Sequence, residues 1–386
     1  MRSLLRGNVL VLAVVSLLND VASEMIFPLL PLFLVGTLGA GPAILGLIEG
    51  IAESTSSLVK LWGGWISDRL GRRRALVVWG YAVAAVGRPV VGIANAPWQV
   101  LAVRFADRVG KGVRTAPRDA LLAESVDPAR RGAAFGIHRA ADHMGAVIGP
   151  LIATGLLLVM PGRLRTVFML AAIPGIAAAV VAAVAIREIR PAARGSAPPA
   201  RARLRDLGPG LTRYLSVVLL FTLGNASDAF LLLRASQLGV ATALIPLLWV
   251  ALHLSKAAWS LAGGAWADRA KPQSVIMTGW FVYAIVYAAF AFARSPWEVW
   301  TLFILYGVFF GLTEAPEKAF LARLAPAELR GRAFGTYHFT VGLAALPASL
   351  MFGVLWQTFG PPVAFLTGAA LALLAAALLP YATRSI

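Results

Sequence analysis

Apolar runs of about 20 residues recur through this chain and constrain its fold more than any other feature. Each is long enough to cross a ~30 Å hydrocarbon layer as a helix rising ~1.5 Å per residue. The runs fall near 8–35, 43–66, 75–94, 98–123, 132–158 and 164–186, and again near 211–236, 242–266, 274–293, 297–323, 332–358 and 362–381. Between the two sets lies 187–210, rich in Pro, Gly and Arg and without apolar period, which reads as a tether. Inside a bilayer each backbone N–H and C=O must be satisfied within the segment, which favours helices for runs of this length. The expected fold is therefore all-α and integral to a membrane, with 12 transmembrane helices. They would form two pseudo-symmetric six-helix bundles, 1–186 and 211–386, joined by a cytoplasmic linker, 187–210. A charged fraction of only 14% agrees, since soluble domains carry about 25%.

The net charge of +17 would suit a nucleic-acid binder, but the basic residues sit in the short connections. Arg2, Arg6, Arg69, Arg72, Arg73, Arg74, Arg130, Arg131, the linker arginines, Arg269, Lys271, Arg330, Arg332 and Arg384 share one side. Only Arg163, Arg165 and Arg294 take the other. Positive charge accumulates on the cytoplasmic side, so both termini and the linker are expected there. The bilayer, not nucleic acid, is the expected partner, and the location is the cell membrane (the inner membrane in a bacterium). The N-terminus has the look of a signal peptide, but its apolar run continues past Asn19 and Asp20 to Val35 without a small-x-small cleavage site, so it is expected to stay as the first helix. With no cysteine there is no disulfide, thiol nucleophile or thiolate metal site. Walker-type phosphate loops, nucleophile elbows and zinc-helix motifs are also missing from the sequence. Neither enzymatic activity nor a cofactor or metal is expected.

The halves repeat at an offset near 200 residues. GGWISDRL at 63–70 answers GGAWADRA at 263–270, and APRDALLA at 116–123 answers APEKAFLA at 315–322. Ala22-Ser23-Glu24 on the first helix answers Ala226-Ser227-Asp228 on the seventh. Parallel repeats of six helices are a transporter architecture, with the binding site between the halves.

The loop residues Gly64, Asp68, Arg69, Gly71, Arg72 and Arg73 carry a resemblance to the major facilitator superfamily that extends over the full chain. What this resemblance implies is a secondary transporter working by alternating access, monomeric, moving a small-molecule solute. In the family this loop is a cytoplasmic latch. Its glycines allow close backbone approach and its charges form a breakable cluster. Gly145, Gly149 and Pro150 on the fifth helix resemble the motif of the family's drug and metabolite antiporters, which implies protons as coupling ion and efflux as direction. Ala153 and Thr154 stand where that motif has further glycines, so a packing kink is the alternative. Arg104 matches a membrane-embedded arginine that the family links to proton coupling. Its neighbours Asp107, Arg108 and Lys111 depart from the usual small residues and imply a more polar cavity.

Arg104, Lys111 and Arg118 recur every seven residues on the fourth helix, near one face. A charge in hydrocarbon costs roughly 2.5–3.5 kcal/mol on insertion scales, so that face must look inward. The other intramembrane charges sort by helix. Asp20 and Glu24 lie on the first, Glu49, Glu53 and Lys60 on the second, and His138, Arg139, Asp142 and His143 on the fifth. Asp228 lies on the seventh, His253 and Lys256 on the eighth, and His338 on the eleventh. The third carries only Arg88, and the sixth, ninth and twelfth are nearly free of charge, as outer supports would be. Glu24, or Asp20 one turn before it, is a candidate proton carrier or substrate contact, the alternative being a structural ion pair. Glu49 and Glu53 read as a gate or structural pair. The pairs His138 with Asp142 and Arg139 with His143 stand at i,i+4. Arg118-Asp119 and Glu317-Lys318, at equivalent positions of the two halves, are expected to form a cytoplasmic ion-pair gate.

The expected function is proton-coupled efflux of a small polar or amphipathic organic solute. Two alternatives stay open, uptake symport of an organic anion or sugar-like solute, and a non-transporting sensor or lipid-interaction protein on the same scaffold.

Overall fold

The computed structural model describes residues 7–70, 72–127, 130–189, 208–325 and 329–383. Among them run twelve long helical passages: α1 Gly7–Thr37, α2 Pro42–Leu70, α3 Arg73–Ile93, α4 Pro97–Glu124, α5 Arg131–Val159 and α6 Leu164–Ala185, then α7 Pro209–Gln237, α8 Ile245–Arg269, α9 Pro272–Phe292, α10 Pro296–Leu324, α11 Arg330–Phe359 and α12 Pro361–Ala382. Ten of these passages are apolar enough to span, while α2 and α4 are as long but more polar. The observed ends lie within a few residues of those expected.

Local sequence explains the boundaries. α2, α4, α9, α10 and α12 begin on proline, whose missing N–H costs nothing in a first turn. At the start of α10 the Glu298 carboxylate accepts from the backbone N–H of Arg294 at 2.6 Å and of Ser295 at 3.2 Å, satisfying groups the helix leaves open. Pro28 and Pro31 remove two donors from the end of α1, which changes to a 3₁₀ turn over Phe27–Leu29 and to a wide π turn over Phe33–Thr37.

One expectation fails locally. The seventh helix reads as continuous over 211–236, but α7 is two helices, Pro209–Gly224 and Ala229–Gln237, with 225–228 unwound. The freed backbone groups find side-chain partners. Tyr283 Oη donates to the Gly224 carbonyl at 2.8 Å, and the Ser227 N–H donates to Ser349 Oγ at 3.2 Å. Non-helical backbone at membrane depth is tolerated where protein satisfies it in this way.

The contacts gather into two compact units. The first comprises Met1–Gly39, Thr55–Gly195 and Ala241–Val250. Within it α1 packs on α5 and α6, and α3 on α4 and α6. Its core is aliphatic, with Leu12, Val15, Val77, Leu121 and Leu122 buried around Tyr81. The second unit comprises Ala40–Ser54, Ser196–Val240 and Ala251–Ile386. There α9 packs on α10 and α12, and α7 on α11 and α12. Its core is aromatic: Phe221 stacks on Trp280 at 4.6 Å, Tyr283 on Tyr287 at 4.1 Å and Phe290 on Phe365 at 5.5 Å. The start of α2 is fastened to α11 in this unit, since Ser54 Oγ donates to the Gly342 carbonyl at 2.6 Å and accepts the Leu346 N–H at 3.1 Å.

Candidate functional site

In the first unit the polar groups meet where α1 crosses α5. The crossing is close because α5 presents glycine there. A Cβ on Gly145 would lie 2.7 Å from Asp20 Cβ, and one on Gly149 would lie 2.6 Å from the Val21 carbonyl oxygen and 3.1 Å from Glu24 Cβ. The helix-5 motif thus sets the seat of both α1 carboxyls. Asn19 Nδ2 donates to Asp20 at 3.0 Å, and Trp249 Nε1 donates to Glu24 at 2.8 Å. Among the described residues neither carboxyl forms an ion pair. One turn N-terminal on α1, Ser16 Oγ donates to Asp142 of α5, whose other oxygen lies 3.4 Å from His138 Nδ1 and 3.7 Å from the Arg139 guanidinium. Arg139 thus turns to Asp142 at i+3.

Replacing Asp142 with Ala strands the buried His138 and Ser16, so a loss of about 1–3 kcal/mol is expected, read as a lower Tm in detergent. Arg139→Ala removes only an exposed partner and is expected to cost less than about 1 kcal/mol. Equal shifts for the two variants would show that Asp142 does not hold α1 to α5.

The fourth helix brings Arg104, Asp107, Arg108 and Lys111 into the same unit. Arg104 is buried with its guanidinium 5.8 Å from the Phe27 ring of α1. Asp107 and Arg108 are nearly buried and 3.9 Å apart. Arg114 serves the packing: it donates to the Gly80 carbonyl at 2.9 Å and lies over Tyr81 at 4.4 Å. Arg118 forms its ion pair with Asp119, at 2.8 Å.

In the second unit Asp228 sits at the unwound stretch of α7 and accepts from Tyr306 Oη at 2.7 Å. Glu49 is buried, 3.5 Å from Ser227 Oγ, whereas Glu53 is exposed. Glu314 receives Lys256 at 3.0 Å and Lys318 at 3.3 Å. Glu317 is buried and accepts from Trp280 Nε1 at 3.1 Å and Tyr337 Oη at 2.6 Å. His253 is half-buried and His338 exposed. Of the loop motif, Gly71 and the side chains at Gly64, Asp68 and Arg69 lie outside the described residues. Arg72 is exposed, and Arg73 is buried, paired with Glu124 and donating its N–H to Glu188 at 3.1 Å.

The family model of the Major Facilitator Superfamily matches residues 12–349 and, in a second match, 213–385. The chain belongs to this superfamily. It is a multi-pass membrane transporter and not an enzyme. An uncharacterized MFS-type transporter of Methanocaldococcus jannaschii is 32% identical over 381 residues, 97% of this chain and 94% of its own length. The multidrug resistance protein MdtH of Salmonella paratyphi B is 31% identical over 133 residues, 34% of this chain and 33% of its own. A bacterial homolog of the human lysosomal transporter Spinster, solved inward-facing, has a TM-score of 0.78 at 16% identity, covering 98% of this chain and 96% of its own, and so shares the fold.

Several polar partners in this transporter escape sequence reading. Trp249 stands 225 residues from Glu24, and Tyr306, Trp280 and Tyr337 lie in apolar runs with no local sign of an acid partner. Asn19 and Arg88 carried a usable signal, being polar residues inside apolar runs. Arg88 is buried and donates to Asn19 Oδ1 at 2.8 Å, so a support helix reaches the Asp20 carboxyl through one intermediate.

Proposed function

We propose that this transporter exports a small polar or amphipathic organic solute in exchange for protons, as a monomer, by alternating access. In this reading it sits in the cell membrane with both termini cytoplasmic. The observation that carries it is how the acids on these helices are held. Asp142, Asp119 and Glu314 are in ion pairs. Asp20, Glu24, Asp228 and Glu317 are held instead by Asn19, Trp249, Tyr306, and Trp280 with Tyr337. An acid bound by a neutral donor takes up or releases a proton without orphaning a buried cation, which is what a carrier requires. Asp20 and Glu24 on α1, with Asp228 on α7, are the candidate coupling groups.

The glycine crossing of α1 and α5, the part of the chain that resembles antiporters, supports efflux, as does the partial likeness to a multidrug resistance protein. Both signs of charge on α4 support a polar or amphipathic solute. The same helix favours a second reading, uptake of an organic anion, because Arg104, Arg108 and Lys111 outnumber Asp107 there.

Proteoliposomes with an imposed pH gradient separate these. An opposing gradient is expected to accelerate accumulation of fluorescent amphipaths. Acceleration by a parallel gradient would establish symport. Absence of flux for every solute, with no ligand-dependent stabilisation, would return the protein to the sensor class.

A further inference from the structure

Apart from the intramembrane charges, the second unit contains a cleft of about 870 Å³ at the α8–α9 turn, walled by the ends of α10 and α12. Its basic groups are Arg269 and Lys271 from the α8–α9 turn and Arg323 from the end of α10, and all three are exposed. Among the described residues none of them forms an ion pair. The lining also has an apolar part: Met277, Phe320 and Pro380 belong to it. Met277 is exposed, as is Phe281 one turn along α9, so the apolar lining continues into the outer surface of the helix. The first turn of α9 also faces the cleft and adds the positive end of its dipole.

We propose that this cleft is a binding site for the phosphate headgroup of an anionic phospholipid, with the acyl chains leaving along α9. Three cations without acidic partners among the described residues call for an anion. The volume lies in the range of sites that take whole small molecules, about 300–1,000 Å³, more than a free phosphate fills. The apolar lining gives the chains of a lipid, but not an inorganic anion, surface to cover. Basic pockets between helices at a membrane face recognise headgroups in this way, each basic group contributing about fivefold in affinity. The site is separate from the carboxyls assigned to coupling, so it stands whether or not proton exchange is confirmed.

Binding to the full-length purified protein in mixed micelles tests this, using phosphatidylglycerol, phosphatidylcholine and inorganic phosphate as probes. The lipid complexes are counted by native mass spectrometry. Wild type is expected to retain phosphatidylglycerol at least tenfold better than phosphatidylcholine. The triple variant Arg269→Gln, Lys271→Gln, Arg323→Gln is expected to lose that preference while staying monodisperse. Should the triple variant aggregate, Arg323→Gln alone decides, with an expected loss of about fivefold. A preference unchanged in the variant would overturn the proposal. So would displacement of the lipid by millimolar phosphate, which would make the site a free-anion site.

Discussion

Glu24→Gln is expected to abolish transport driven by a proton gradient, lowering it by more than about tenfold, a change worth about 1.4 kcal/mol or more. Solute binding is expected to stay within about twofold of wild type. Glutamine has nearly the shape of the acid, and its amide oxygen can still accept from Trp249, whose indole lies 2.8 Å from Glu24. The crossing of α1 on α5 is therefore preserved, and only the exchangeable proton is lost. The readout that isolates this is proton release by the detergent-purified protein as solute is added. Wild type should release protons and the variant should not, although both bind. Asp228→Asn provides the comparison in the other unit, where Tyr306 plays the part of Trp249. If Glu24→Gln releases protons like wild type, coupling does not reside at this carboxyl, and Asp20, one turn earlier on α1, becomes the next group to test.

The membrane makes much of this fold readable. Hydrocarbon thickness sets the length of each run and the cost of charge sorts the helices, so the sequence alone leads one to expect Asp20, Glu24, Arg104 and Asp142 to face inward. What the sequence leaves open is the state of each charge, because that depends on residues far along the chain. Glu24 and Glu314 are both acids in apolar helices, yet one is held by an indole and the other by two lysines. Glu49 and Glu53, one turn apart, differ in burial: Glu49 is buried and Glu53 exposed. The unwinding of α7 was equally hidden. Asn225 and Ser227 are weak breakers locally, and only the Tyr283 and Ser349 hydroxyls show that the freed backbone is satisfied. Local pattern therefore locates the polar helices, whereas the division into ion-paired and neutrally held acids emerges only from packing.

The second large effect concerns how α1 is held at all. Gly149→Val is expected to destabilise the protein by about 3 kcal/mol, the upper end for forcing added volume into a filled site. Even the first added carbon would lie 2.6 Å from the Val21 carbonyl oxygen and 3.1 Å from the Met25 nitrogen. Those are backbone atoms of α1 and have no rotamer with which to move aside, so the helix itself must shift, carrying Glu24 with it. Gly145→Ala is expected to act in the same direction, since its Cβ would meet the Leu17 carbonyl oxygen at 2.8 Å. Gly155, later on the same helix, has no neighbour within 4 Å of an added Cβ. There, Gly→Ala is expected to be neutral or to stabilise by about 0.5–1 kcal/mol through helix propensity. Thermal unfolding of the three variants in one detergent separates close approach from kinking as the role of these glycines. If Gly145→Ala and Gly155→Ala shift Tm alike, the crossing does not depend on the missing side chains. If only Gly145→Ala and Gly149→Val lose stability, the motif that resembles antiporters acts here by seating the two α1 carboxyls against α5.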